Sequence, residues 1–192
     1  MRIGLLALQG AFIEHSHVLD RLGVDAKQVR KPDELKGLDG LIIPGGESTT
    51  ILNLANNYDL IEPLRKLGLE GLPMMGTCAG MILLAKTVTN SDIKTLGLMD
   101  ITVRRNAFGR QPDSFETDLD IKALGEKPFH SVFIRAPLIE EASANVEILS
   151  KLDNGTIVAV RQNNLLGMSF HPELTDDLRM HEYFLKMISK NT

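Results

Sequence analysis

Three short segments carry side chains whose chemistry combines. The chain has a single cysteine, Cys78, set in Gly76-Thr77-Cys78-Ala79-Gly80 between the apolar run Leu72-Pro73-Met74-Met75 and the helical run Met81-Ile82-Leu83-Leu84-Ala85-Lys86. A strand-to-helix turn of the form G-x-nucleophile-x-G tolerates strained backbone angles, turns the sulfur toward solvent and sets it beside the free N–H groups of a helix start. Their partial positive charge favours the thiolate, which is the reactive form. The second segment is Phe170-His171-Pro172-Glu173. Residues two apart in extended chain face the same side, so Glu173 can hold one imidazole nitrogen of His171 while the other faces a thiol. Nucleophile, base and orienting acid make a triad. The third is Pro44-Gly45-Gly46-Glu47-Ser48, where glycines leave main-chain N–H groups unshielded. A glycine N–H, from Gly46, and the N–H of Ala79 suit the developing oxyanion of thiolate attack on an amide.

Each segment also has a plainer reading when taken alone. A lone cysteine is often a small buried hydrophobe, a His-Pro-Glu strand end is an ordinary exposed pair, and Pro-Gly-Gly is a turn before a helix cap. The loop lacks the lysine and spacing of a phosphate-binding P-loop.

The elements that must position these groups follow from periodicity. Arg2 to Leu8 reads as a strand closed by Gln9-Gly10, and Phe12, His15, Leu19 and Leu22 then recur at helical spacing up to Gly23. Val24 to Val29 and Leu41 to Ile43 give two more short strands, and Ser48 or Thr49 caps a helix. Leu60, Ile61, Leu64 and Leu67 mark another helical face before the strand that delivers Cys78. Such alternation predicts a mostly parallel sheet with helices on both faces. Beyond residue 97 the pattern changes to period two, at Ile101 to Arg105, Phe115 to Ile121, Ser131 to Arg135, Val146 to Leu152, Ile157 to Arg161 and Leu165 to Phe170, with a hairpin turn at Asn154-Gly155. Thr175 is expected to start the last helix, whose Met180, Phe184, Met187 and Ile188 share one face. The fold expected is a three-layer α/β domain with an antiparallel β extension, spanning residues 1–192 as one unit. Of the remaining histidines, His15 is expected at its helix's apolar edge, and His17, His130 and His181 at the surface or the edge of the core.

Composition bounds the function. A chain of 192 residues buries about 70% of its unfolded surface, enough to shield an active site. One cysteine excludes an internal disulfide, and Glu14, His15 and His17 interrupt any signal-peptide pattern, so a reducing cytoplasm is expected. No run of about 18 apolar residues is present to span a bilayer. Net charge is −4 without a basic block, so neither nucleic acid nor membrane is an expected partner. The histidines are dispersed without ligand spacing, and neither metal nor cofactor is expected.

Together the segments resemble the triad-type, or class I, glutamine amidotransferases, marked by the G-x-C-x-G elbow, the Pro-Gly-Gly loop and a C-terminal His-Pro-Glu. Leu8-Gln9-Gly10-Ala11 with Glu14-His15, Pro44 to Thr50, Arg105-Asn106-Ala107-Phe108-Gly109-Arg110-Gln111, Phe133-Ile134-Arg135-Ala136-Pro137 and Ser169 to Leu174 extend the resemblance to the glutaminase subunits of pyridoxal 5'-phosphate synthase, over essentially the whole chain. The resemblance implies Cys78 as nucleophile, His171 as base, Glu173 as its orienting partner, and a glutamine site of Gly46, Glu47, Ser48, Arg105, Ile134 and Arg135. A guanidinium at 105 suits the substrate α-carboxylate; without the resemblance it reads as a solvated strand-end arginine. It also implies L-glutamine as substrate and a (β/α)8-barrel synthase as partner, consuming the ammonia and ordering the oxyanion loop on docking, with Gln9, Gly10 and Gly45 near the contact. The rival readings are a glutaminase feeding another synthase such as the imidazole-forming one of histidine synthesis, a non-catalytic regulatory module on the same scaffold, and another cysteine hydrolase with a similar elbow.

Overall fold

The computed structural model describes residues 1–105 and 114–189. Asn106 to Gln111, part of the motif above, lie outside them. The first half of the chain is a succession of strands and helices: β1 (Arg2–Leu6), α1 (Phe12–Arg21), β2 (Asp25–Val29), β3 (Gly40–Ile43), α2 (Ser48–Asn57), α3 (Ile61–Leu69), β4 (Met74–Thr77) and α4 (Ala79–Leu84). The second half is mostly strands: β5 (Ala85–Val88), β6 (Met99–Arg104), β7 (Ser114–Leu119), β8 (Phe129–Ile134), β9 (Leu138–Ala142), β10 (Glu147–Lys151), β11 (Ile157–Gln162) and β12 (Leu165–Met168), before α5 (Arg179–Ser189).

Strand order along the main sheet is β2-β1-β3-β4-β12-β11-β9-β6-β5, with β10 on β11, while β7 and β8 form a separate ribbon. The β2-β1-β3-β4-β12 portion is parallel, and β12-β11-β9-β6 continues it antiparallel. The expected parallel sheet with its antiparallel extension is therefore present. Side-chain alternation in doubly covered strands splits the core in two. Leu41, Ile43 and Met74 face α2, α3 and α4, whereas Ile42 and Met75 face α1 and α5. Each fully buried Leu, Ile or Phe contributes about 1.5–3 kcal/mol, so the two layers hold the strand ends firmly.

Boundaries differ from the sequence reading where local chemistry decides them. The helix after Cys78 stops at Leu84, and Ala85 and Lys86 already belong to β5. Every residue of α4 is buried, so no polar face marks its end in the sequence. Glu47, not Ser48 or Thr49, caps α2, its carboxylate accepting from the N–H groups of Thr49 (3.1 Å) and Thr50 (2.7 Å). The last helix begins at Arg179 rather than Thr175, because Thr175 Oγ1 and Asp177 Oδ1 accept from the backbone two residues on, at 3.3 and 3.1 Å. These local bonds compete with helix. Strands β5 and β9 escaped the periodicity reading.

Candidate active site

Parallel pairing brings the three segments together. Met168 at the end of β12 pairs with Thr77 at the end of β4, and Ile43 at the end of β3 pairs with Gly76. The carboxyl ends of β3, β4 and β12 thus deliver Gly45-Gly46, Cys78 and His171 to one rim, the usual place for a ligand in such a sheet. The Cys78 N–H donates to Met168 O at 2.8 Å and the His171 N–H to Val132 O at 2.8 Å, so both turns are pinned to neighbouring strands.

Cys78 has φ 48° and ψ −106°, the strained backbone of a nucleophile elbow. Its glycines answer a packing need: a methyl group on Gly80 would overlap the carbonyl oxygen of Ile43 in β3. The expected solvent-facing sulfur is corrected, since Cys78 is 6% exposed and forms part of the wall of a cleft of about 260 Å³. It stays reachable through that cleft. Its Sγ lies 3.9 Å from Ile134 O.

His171 Nδ1 is 2.7 Å from Glu173 Oε1, and the pair is nearly sealed from water. The geometry is not the extended dipeptide of the sequence reading: Pro172–Leu174 form a 3₁₀ turn that folds the carboxylate back beneath the ring. Burial pulls His171 downward, but hydrogen bonding to Cys78 and Glu173, with their charges, outweighs it and raises the imidazole to about 10. Burial pushes Glu173 upward, and its electrostatic interaction with His15 together with the hydrogen bond and charge of His171 carries it below the ordinary carboxylate value.

Gln9, Gly46, Glu47, Ser48, Ala79, Arg105, Ile134 and Arg135 line the same cleft. Arg105, at the end of β6, reaches across to Glu47, with Nη2 at 2.9 Å from Oε1. Burial raises the Glu47 carboxyl, and hydrogen bonds from Thr50 and Thr49 with the charge of Arg105 carry it lower. Ile134, the last residue of β8, and Arg135 after it, at φ 40°, stand on the rim. Gln9 Oε1 accepts the Glu47 N–H at 2.8 Å. Gly45 is buried, its N–H donated to Thr77 Oγ1 (3.0 Å) and its carbonyl accepting from Ala11 N–H (3.0 Å). Gly10, at φ 101°, packs so closely on that carbonyl that a methyl group there would overlap it. Sequence reasoning missed Ile82 and Pro137 in the cleft wall.

It also misplaced one histidine. His15 packs on the apolar side of α1, as expected, but His181, expected at the surface or the edge of the core, is completely buried like it, and both lie near the Glu173 carboxylate. Their only sequence signal was helical spacing on apolar faces, which does not separate a packed histidine from a bonded one. His130 is exposed, as expected, between Asp118 and Glu116 on the ribbon.

The chain matches the model of the SNO glutamine amidotransferase family over residues 5–190. It is 60% identical over 189 residues, 97% of each chain, to the pyridoxal 5'-phosphate synthase subunit PdxT of Dehalococcoides mccartyi, and 56% identical over 190 residues, 99% of each, to the PdxT of Carboxydothermus hydrogenoformans. A crystal structure of a glutamine amidotransferase superposes with a TM-score of 0.92 at 50% identity, covering 97% of this chain and 98% of that one. PurLQS from Thermotoga maritima shares the fold, with a TM-score of 0.70 at 18% identity over 96% of this chain and 97% of that one. A match running from β1 to the last turn of α5 takes in every strand end that builds the cleft, and the chain belongs to the SNO glutamine amidotransferase family.

Proposed function

We propose that this chain is the glutaminase subunit of a pyridoxal 5'-phosphate synthase, hydrolysing L-glutamine to L-glutamate and ammonia and handing the ammonia to a synthase partner. The observation that carries the reading is that Cys78 and His171, the latter bonded to the buried Glu173, line a cleft that also holds the Glu47–Arg105 pair. The names of the relatives at 56–60% identity support the synthase assignment.

Glutamine enters with its α-carboxylate at Arg105 and its α-ammonium at Glu47, each charge replacing one partner of the existing ion pair. Ser48, Ile134 and Arg135 close around its backbone. The Cys78 thiolate attacks the side-chain carboxamide carbon, forming the C–S bond and moving the carbonyl electron pair onto oxygen. N–H groups of Gly46 and Ala79 receive that oxyanion. As the tetrahedral carbon collapses, His171 Nε2 gives its proton to the leaving nitrogen, the C–N bond breaks, and ammonia departs from a glutamyl thioester. His171 then takes a proton from water, whose oxygen attacks the thioester; the C–S bond breaks and glutamate leaves. Glu173, bound to Nδ1, keeps Nε2 toward the sulfur throughout.

The partner is a (β/α)8-barrel subunit that docks near Gln9, Gly10 and the Gly45-Gly46 loop and orders the oxyanion donors. Gly45 being buried, contact reaches it through Gln9 and Gly46. Nucleic acid and membrane have no part in this reaction, and among the described residues no helix is long and apolar enough to cross a bilayer. The chain works as one amidotransferase domain in the cytoplasm. Glutamate release, with and without synthase, tests the reading: Cys78→Ala should still bind synthase, release no glutamate and make cofactor only with added ammonia. Turnover by Cys78→Ala refutes the triad, and full activity of the isolated wild-type chain refutes dependence on docking.

A further inference from the structure

The mechanism above uses one carboxylate oxygen of Glu173. The other, Oε2, is sealed from water with no hydrogen-bond partner among the described residues, and His15 Nε2 from α1 stands 3.5 Å away. The same nitrogen is 3.2 Å from Thr77 Oγ1, which already accepts the Gly45 N–H. On the far side of the ring, His15 Nδ1 is 2.9 Å from His181 Nε2 in α5, whose own Nδ1 is buried with no partner among the described residues.

Hydrogen accounting selects one proton arrangement. If Nδ1 of His15 carried the proton, it would donate to His181 Nε2. His181 would then bury an N–H at Nδ1 with no acceptor, and His15 would turn a lone pair toward the Glu173 carboxylate. An unpaired buried donor costs about 1–3 kcal/mol, and the lone pair facing an anion adds repulsion. With the proton on His15 Nε2, His181 Nε2–H donates to His15 Nδ1 and both ring N–H groups have an acceptor or an anion before them, while the His181 Nδ1 lone pair stays bare and the Thr77 hydroxyl hydrogen turns away from the ring. Burial, the largest cause for both rings, lowers His15 and takes His181 to about 3, so both are neutral. The second ring therefore fixes which nitrogen of the first holds its proton.

Resting on the triad reading, we infer that His15 is a positioning residue for the glutaminase reaction: its Nε2–H, held in that tautomer by His181, steadies Oε2 of Glu173 and, through Thr77, joins the carboxylate to the Gly45 backbone. The base and the oxyanion loop are thereby tied to one buried hydroxyl. Glu173 is faced by His171 from its own turn, by His15 from α1 and by His181 from α5; Glu14 neighbours His15, and Cys78 faces His171. Without the His15 donor the carboxylate is more easily protonated or displaced, and the imidazolium that sustains the thiolate loses support.

The test compares wild type, His15→Leu and His15→Gln as full chains with synthase, following glutamate release and the pH dependence of Cys78 alkylation by iodoacetamide. Leucine should lower kcat by about tenfold to a hundredfold, leave the KM for glutamine unchanged and move the alkylation profile to higher pH. Glutamine, whose amide reaches the Nε2 position, should restore part of both. Wild-type kcat and profile in His15→Leu overturn the inference, as does a glutamine variant no better than leucine with an unshifted profile, the behaviour of packing alone. If leucine does not fold, His15→Asn, which reaches only the Nδ1 position, replaces it, and equality with His15→Gln overturns the proposal. Turnover by the Cys78→Ala control refutes the triad itself and leaves that failure distinct from this one.

Discussion

Gly45 and His171 are packed in direct contact: a methyl group placed on Gly45 would overlap Cε1 of the imidazole and lie 2.9 Å from its Nδ1 and 3.3 Å from Cys78 Cβ. The glycine is therefore a spacing element between the Gly45-Gly46 loop and the His171 ring. Gly45→Ala is expected to displace the ring and lower kcat for glutamate release by about a hundredfold, with circular dichroism reporting a folded chain. Wild-type kcat in that variant would show that the ring moves without consequence.

Thr77 Oγ1 accepts the Gly45 N–H and meets His15 in the interior. Thr77→Val keeps the shape and removes the acceptor, stranding a buried donor at a cost of about 1–3 kcal/mol. The melting temperature should fall by roughly 2–10 °C for a chain of this size, and Thr77→Ser should recover most of it. Equal melting of the valine and serine variants would assign the site to packing.

Arg105 and Glu47 already form an ion pair at 2.9 Å, half open to solvent. Arg105→Ala should raise the KM for glutamine by about tenfold, the effect of losing about 1.4 kcal/mol of charge-assisted binding, and change kcat less. Arg105→Lys should recover only part, since an ammonium lacks the bidentate fork. Titrating initial rates against glutamine separates the two constants. An unchanged KM in the alanine variant removes Arg105 from the substrate site.

Stability should fall on both sides of neutrality, for opposite reasons. His171 moves from 6.5 in the unfolded chain to about 10 in the folded one, so its contribution is complete below 6.5 and is lost as pH rises toward 10. His181, carried from 6.5 down to about 3, must unfold to bind its proton, so stability drops as pH falls from 6.5 toward 3, and His15 acts in the same direction. Urea midpoints across this range should trace a maximum near 6.5. Glu173→Gln should flatten the alkaline side, because the carboxylate is one of the groups that raise His171. An alkaline slope identical to that of wild type would exclude His171 as its source.

How far the sequence could be read depended on whether a feature is local. The elbow at Cys78 was visible because a strained φ of 48° and the close approach of Gly80 to Ile43 demand small residues at fixed offsets. The parallel half of the sheet was visible because strands covered on both faces are short apolar runs separated by helical ones. The end of α4 was not, since a helix buried all round has no periodicity to lose. The cap of α2 falls on Glu47 although Ser48 and Thr49 are the favoured N-cap residue types, and only the bonds that Thr49 and Thr50 donate to the Glu47 carboxylate show it.

The linear chain alone determined the groups proposed to react, the glycines that surround them and the family to which the pattern belongs, because each is a matter of residue type at short spacing. Tertiary structure decided what meets what. The pairing of Met168 with Thr77 sets His171 beside Cys78, the reach of β6 brings Arg105 to Glu47 from 58 positions away, and the docking of α1 against α5 places His15 on His181 from 166 positions away. Such contacts depend on how sheets and helices close around a shared core, and no periodicity within one segment encodes them.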